Sequence, residues 1–139
     1  GASVEKPAEI GAARPVGTEA ILIVDDEVEL TTLAKSILEA LGYTALCAQS
    51  GHEAQKILEE NHIDLVFSDV VMRGGMSGFD LAAIITNEYP QVKILMTSGF
   101  PGKLNHAGRD ESLIRKMIMK PYRDIELSQR VRETLDGIN

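Results

Sequence analysis

The sequence is poor in cysteine, in basic residues and in long apolar runs, and each shortage excludes a class of protein. Its single cysteine, Cys47, cannot form an internal disulfide, so we expect a small buried residue in a reducing compartment. Lysine and arginine number 14 against 21 acidic residues, which gives a formal net charge of −7. No basic stripe is therefore available to meet nucleic-acid phosphates, and direct binding of nucleic acid is not expected.

Membrane and export signals are also lacking. No apolar run approaches the roughly 20 residues that a membrane-spanning helix needs, and the N-terminus lacks the apolar core of a signal peptide. We therefore predict a cytoplasmic location without direct membrane binding. Residues 1–18 mix Gly, Ala, Pro and isolated charges without a hydrophobic period, which predicts a flexible leader or linker before one domain at residues 19–139.

From Ala20 onward, apolar segments of strand length alternate with segments of helical period. This alternation is typical of an α/β fold with a parallel sheet. Strands are predicted at residues 20–25, 44–48, 63–69, 93–99 and 116–122, and helices at about 27–41, 51–60, 79–88, within 101–114, and 124–136. On the first helix, the residues predicted to face the core are Leu30, Leu33, Ala34, Ile37, Leu38 and Leu41.

Four of the predicted strands end in polar or charged residues. In an open parallel α/β sheet the binding crevice lies beyond the carboxyl ends of the strands, so we expect these residues to meet there. In strand order they are Asp25 and Asp26, Asp69, Thr97 and Ser98, and Lys120.

Three carboxylates in one crevice require a cation. At about 5 Å and an effective dielectric near 20, each pair repels by roughly 3 kcal/mol. Oxygen ligands without His or Cys favour a hard divalent ion, so the sequence predicts Mg²⁺ (magnesium). Taken singly, Asp25 and Asp26 could be helix caps and Asp69 a turn residue. Their conjunction with a hydroxyl and a lysine at the same sheet edge favours a phosphoryl-transfer site instead.

The chain from about Ala20 to Asn139 resembles a receiver domain of the two-component response-regulator family. The resemblance rests on the acidic pair "DD", on Asp69 after "DLVFS", on the "SG" at Ser98, and on "KPY" at Lys120. It implies a flavodoxin-like doubly wound (βα)5 fold with a five-stranded parallel sheet in the order 2-1-3-4-5.

The resemblance also implies a reaction and its partners. Asp69 would accept a phosphoryl group from a phosphohistidine of a sensor histidine kinase or a histidine phosphotransfer protein. Asp26 and Asp69 would bind Mg²⁺ directly, with Asp25 acting through a water and the backbone carbonyl of Val71 completing the protein ligands. The module would catalyse only its own phosphorylation and dephosphorylation and would not be an independent enzyme.

The phosphoryl oxygens would be bound by Ser98 and Lys120. Ser98 is preferred to Thr97 because Gly99 fits the family's pattern of a hydroxyl followed by a small residue. The family also implies a cis bond between Lys120 and Pro121. It leaves open a homodimer through the face of the fourth helix, fifth strand and fifth helix.

Three features depart from the family's usual pattern. Arg73 stands where a proline is usual, and "RGGMSG" makes the following loop glycine-rich and one residue longer. Met117 stands where an aromatic residue usually reports the phosphorylated state. We therefore predict that Ser98, Met117 and Pro121 form the conformational switch, with weaker transmission than an aromatic residue would allow. The alternative is that Met117 is ordinary core packing and that the glycine-rich loop at residues 74 and 75 carries the response instead.

Two other functions fit the sequence less well. A Mg²⁺-dependent phosphohydrolase of the haloacid-dehalogenase type needs an acid two residues after its nucleophile, where Val71 stands. A degenerate receiver that only binds a partner would lack one of the essential groups, and none is missing. The leader and the "GGMSG" and "TSGF" segments favour a receiver from a hybrid histidine kinase over a free-standing regulator.

Overall fold

The computed structural model describes residues 15–99 and 111–138. Its five strands form one parallel sheet in the order β2-β1-β3-β4-β5, which confirms the predicted α/β class and strand order. The elements are β1 Ala20–Val24, α1 Val28–Ala40, β2 Thr44–Ala48, α2 Gly51–Glu60, β3 Leu65–Asp69, α3 Gly78–Glu88, β4 Lys93–Ser98, α4 Glu111–Arg115, β5 Ile118–Met119 and α5 Asp124–Leu135.

The sheet is packed on both faces. Successive side chains of a strand point to opposite faces, and β1 shows the result. Ile21 packs in a cluster with Leu38 of α1 and Leu127 of α5, whereas its neighbour Leu22 packs in a second cluster with Leu81 of α3. Because both faces of β1 and β3 are covered, these strands are continuously apolar rather than alternating.

A glycine sets the position of α3 directly beneath the end of β3. The backbone N–H of Gly78 donates a 2.7 Å hydrogen bond to the carbonyl of Val70. A Cβ at Gly78 would collide with the backbone carbonyl of Asp69, so no side chain fits there. Ser77 caps the helix by accepting a hydrogen bond from the Asp80 N–H, and the Asp80 carboxylate accepts one from the Ser77 N–H.

The fifth strand is much shorter than predicted. Only Ile118 and Met119 pair with β4, against a predicted strand at residues 116–122. The N–H groups of Lys116 and Met117 donate instead to carbonyls of the α4 turn, at Ser112 and Ile114. The apolar residues of this segment are therefore explained by their burial, and they did not indicate how many of them pair with β4.

One residue of α1 that was predicted to face the protein core is exposed. Leu33 is 51% accessible, whereas Thr31 on the same helix is buried. The Thr31 hydroxyl donates to the Val28 carbonyl at 2.8 Å, which satisfies its polar group inside the protein. Cys47, predicted to be buried, is only partly so, and its thiol contacts the Thr31 carbonyl.

The predicted leader and the predicted fourth helix lie partly outside the described residues. Residues 1–14 and 100–110 are not described, so the boundary at residue 18 stays a prediction. Val16 and Gly17 already contact the domain, through the Arg132 guanidinium and the Leu41 carbonyl respectively. Arg132 also forms an ion pair with Glu19 at 2.7 Å. Within the described part of the chain, no helix combines the length and apolar character needed to cross a bilayer.

Candidate functional site

The three predicted carboxylates meet at the carboxyl edge of the sheet. Asp25 and Asp26 directly follow β1, and Asp69 is the last residue of the adjacent parallel strand β3. One oxygen atom from each of the three lies within 4.8 Å of the other two. Asp25 and Asp69 are buried, whereas Asp26 is half-buried at the mouth of the crevice.

Lys120 supplies a positive charge to this cluster. Its ammonium lies 2.8 Å from Asp25 Oδ2 and 3.2 Å from Asp69 Oδ2. Its backbone follows β5, and the bond to Pro121 is cis, as the resemblance implied. Because the lysine side chain is only 16% exposed, its contacts with the two carboxylates are shielded from solvent.

Asp69 and Lys120 both have raised pKa values. Burial, and after it the charge of Asp25, raise the pKa of Asp69 to about 6, against the opposing effects of Lys120 and the Val71 N–H. Burial lowers the pKa of Lys120, but its hydrogen bond to Asp25 and the charge of Asp69 outweigh burial, so that its pKa is raised. Lys120 is therefore a permanent cation at neutral pH.

The two hydroxyls at the end of β4 occupy different positions. Thr97 donates a 2.8 Å hydrogen bond from Oγ1 to the Ile118 carbonyl, so its hydroxyl serves the contact between β4 and β5. Ser98 is the last residue of β4, is buried, and accepts at its carbonyl from the Lys120 N–H at 2.9 Å. The structure thus ties Ser98 through the backbone to the lysine of the site.

An open crevice with a volume of about 300 Å³ lies at this edge of the sheet, and of the predicted site residues Asp25, Thr97 and Ser98 are not part of its lining. Such a space accommodates a phosphoryl group and part of the molecule that carries it. The crevice is lined by Asp26, Glu27, Asp69, Val71, Met72, Arg73, Gly99 and Lys120.

Arg73 contacts the cluster, and sequence reasoning did not predict this contact. Its backbone N–H donates to Asp26 Oδ2 at 3.0 Å, and its guanidinium Nε lies 3.2 Å from the same oxygen. The available signal was the position of Arg73, four residues beyond Asp69 in a loop that must pass the crevice. The sequence showed the departure from proline but not which carboxylate the arginine would reach.

The three predicted switch residues differ in their exposure to solvent. Met117 is buried in a small apolar cluster with Val70, Phe79 and Met96, whereas Pro121 is exposed. This environment makes Met117 part of the packing between β4, α3 and the β5 segment. Its role as a switch residue stays a prediction.

Comparison with known proteins assigns the chain to a family. Residues 21–132 match the family model described as "Response regulator receiver domain". The transcriptional regulatory protein YvrH of Bacillus subtilis (strain 168) is 35% identical over 116 residues, covering 83% of this chain and 48% of YvrH. The autoinducer 1 sensor kinase/phosphatase LuxN of Vibrio harveyi is 35% identical over 98 residues, covering 70% of this chain and 11% of LuxN.

Solved structures agree with this assignment. A response regulator receiver domain protein from Clostridium thermocellum superposes with a TM-score of 0.74 at 27% identity, covering 86% of this chain and 95% of that one. The signal receiver domain of an HD domain-containing protein from Pseudomonas fluorescens Pf-5 has a TM-score of 0.71 at 30% identity, covering 87% of this chain and 97% of that one.

The chain belongs to the response regulator receiver domain family. It is therefore a phosphorylation-dependent signalling module of two-component systems, and the phosphohydrolase alternative is not favoured. The family generally binds Mg²⁺ in an acidic pocket and interacts with sensor kinases or phosphotransfer proteins. The chain spans about half the length of YvrH, so the match says nothing about the function of the other half of that protein.

Proposed function

We propose that Asp69 accepts a phosphoryl group from a phosphohistidine of a sensor histidine kinase or histidine phosphotransfer protein, in a reaction that requires Mg²⁺. The observation that carries this proposal is the placement of Asp69 at the end of β3, among three carboxylates and 3.2 Å from the Lys120 ammonium. The chain catalyses its own phosphorylation and dephosphorylation and no other reaction.

Asp69 acts as the nucleophile. One of its carboxylate oxygens attacks the phosphorus, an oxygen–phosphorus bond forms, and the nitrogen–phosphorus bond of the phosphohistidine breaks. The electron pair of that bond stays on the departing imidazole nitrogen, and the product on this chain is an aspartyl phosphate. Because the pKa of Asp69 is raised to about 6, the carboxylate is basic enough to be a good nucleophile and is still ionised at neutral pH.

Lys120 and Ser98 stabilise the transferred group. The ammonium already lies between Asp25 and Asp69, so it meets negative charge that develops on the phosphoryl oxygens without a large movement. Ser98 ends β4 at the same edge and would contribute its hydroxyl, and the neighbouring Gly99 lines the crevice.

The donor set fits a magnesium ion. Every side chain of the three-residue cluster offers a carboxylate oxygen, which is the ligand type that this hard cation prefers. Asp26 and Asp69 would bind the ion directly, Asp25 through a water, and Val71 through its backbone carbonyl. When bound, the ion neutralises charge on the carboxylates and on the incoming phosphoryl oxygens.

The acceptor is tested by incubation with acetyl phosphate and MgCl₂ followed by intact-mass spectrometry. One phosphate should be added to the wild type and none to Asp69→Asn. Asp136→Asn is the matched control, because this exposed aspartate lies at the end of α5 and should leave labelling unchanged. Full labelling of Asp69→Asn would contradict the assignment.

The metal ligands are tested by titration calorimetry with MgCl₂. Asp26→Ala should weaken Mg²⁺ binding more than Asp25→Ala, since Asp26 is proposed to bind the ion directly and Asp25 only through a water. Equal affinity in the wild type and both variants would rule out this ligand set.

A further inference from the structure

Arg73 neutralises the one carboxylate of the cluster that Lys120 does not reach. Lys120 contacts Asp25 and Asp69, whereas Asp26 accepts a hydrogen bond from the Arg73 N–H and an ion pair from its guanidinium. Three carboxylates are thus matched by two cations from the chain itself. Both contacts from Arg73 fall on the same atom, Asp26 Oδ2.

We propose that Arg73 is an internal competitor of the metal ion for Asp26 and so sets how much Mg²⁺ the site needs. The inference rests on the proposed function, in which Asp26 is a direct ligand. A guanidinium on a carboxylate oxygen and a divalent cation on the same carboxylate oppose each other, because each lowers the negative charge available to the other. Arg73 is therefore a positioning residue that acts through Asp26.

The two cations of the site differ in how easily they are displaced. The Lys120 side chain is 16% exposed, whereas the Arg73 side chain is 87% exposed and surrounded by water. Displacement of Arg73 leaves its guanidinium solvated, so it costs only the weak ion pair. Displacement of Lys120 would leave two buried carboxylates without their partner.

The loop after Arg73 allows such a movement. Gly74 and Gly75 have φ angles of +97° and +91°, and no atom lies within 4 Å of a Cβ built on either. Both residues are glycines in a conformation that other residues rarely adopt. Beyond them the chain is held again by the capping box of Ser77 and Asp80. Arg73 thus directly precedes two glycines that have free space around them, so the backbone next to it has room to move.

The guanidinium can be removed without removing the backbone contact. The Arg73 N–H donates to Asp26 whatever the side chain is, so Arg73→Ala deletes the ion pair alone. Arg73→Lys keeps the charge but replaces the Nε–H donor by a flexible ammonium. Arg115→Ala is the matched control, because it removes the same charge from an exposed position on α4.

The test is the Mg²⁺ dissociation constant of the four proteins by titration calorimetry at low and high ionic strength. Arg73→Ala should bind Mg²⁺ about twofold to fivefold more tightly than the wild type, which is the range expected for one exposed ion pair. Arg73→Lys should lie between them and Arg115→Ala should match the wild type. The gain should shrink in high salt, because salt screens exposed pairs.

A second measurement follows the wild-type side chain itself. In a ¹H–¹⁵N spectrum the Arg73 Nε–H resonance should move on addition of MgCl₂, with the same midpoint as the backbone amide of Asp26. A resonance that stays in place while Mg²⁺ binds would overturn the inference. So would equal Mg²⁺ affinity in the wild type and Arg73→Ala, or an equal gain in Arg115→Ala, which would show a general charge effect. Absence of Mg²⁺ binding by all four proteins would overturn the proposed metal site as well.

Discussion

The ammonium of Lys120 lies 3.2 Å from Oδ2 of Asp69, although 51 residues separate the two in the chain. The lysine reaches this position from the end of β5, and the aspartate from the end of β3, with β4 between the two strands. The contact keeps a buried carboxylate ionised at neutral pH and places a cation where a phosphoryl group would arrive.

Replacement of Lys120 tests how far this contact supports the fold as well as the reaction. Lys120→Met should slow phosphorylation by acetyl phosphate about 100-fold, as expected when one charged donor to a reacting group is lost. It should also lower the free energy of unfolding by about 1–3 kcal/mol at pH 7, because two buried carboxylates lose their partner. Urea unfolding measures the second effect. A variant as stable as the wild type at pH 7 would show that the pair does not stabilise the fold.

The raised pKa of Asp69 predicts a pH-dependent difference in stability. Between the unfolded value of 3.8 and the folded value of about 6, the folded chain binds more protons than the unfolded chain, so this group lowers stability as pH rises. Asp69→Asn has no such group. The free energy of unfolding of Asp69→Asn should therefore exceed that of the wild type by a margin that grows by about 1–2 kcal/mol from pH 4 to pH 7.

Urea unfolding without Mg²⁺ at several pH values measures this difference. Glu59→Gln, which removes an exposed carboxylate from α2, is measured as the control. A constant difference between Asp69→Asn and the wild type would mean that the pKa of Asp69 is not raised in the folded protein.

Replacement by alanine should destabilise the protein at Gly78 but not at Gly99. A Cβ at Gly78 collides with the Asp69 carbonyl, so Gly78→Ala should force α3 away from β3 and destabilise the protein by about 1–3 kcal/mol. A Cβ at Gly99 would lie 3.9 Å from Lys120, an ordinary contact, so Gly99→Ala should leave stability nearly unchanged. Thermal unfolding distinguishes them, and equal melting temperatures for the two variants would contradict the close approach at Gly78.

Because Met117 replaces an aromatic residue, we expect the conformational change on activation to spread only weakly to β5 and α5. It is buried against Val70, Phe79 and Met96 and has no hydroxyl with which to exchange partners. With beryllofluoride and Mg²⁺ as a phosphoryl mimic, amide chemical shifts should change strongly at residues 70–78, 98 and 99, and weakly at residues 116–119 and along α5. Large changes across β5 and α5 would show that coupling survives without an aromatic residue.

The periodicity of the sequence was enough to predict the α/β class and most element positions. The strands β1, β2 and β4 and the helices α2, α3 and α5 lie within one or two residues of their predicted bounds. This agreement has a local cause, since strands buried on both faces must be continuously apolar and helices must be apolar on one side. The β5 segment has the same apolar composition, but hydrogen bonds of Lys116 and Met117 to the α4 turn decide its length.

Residue order alone predicts which chemical groups reach the carboxyl edge of the sheet: two carboxylates after β1, one at the end of β3, hydroxyls ending β4 and a lysine after β5. Residue order along a parallel strand decides which edge a side chain reaches, so this could be predicted without coordinates. The pairing of these charges depends on the fold, in which Lys120 contacts Asp25 and Asp69 and Arg73 contacts Asp26. The reason is that pairing depends on distances of a few ångströms between residues distant in sequence, set by packing and by the path of the glycine-rich loop.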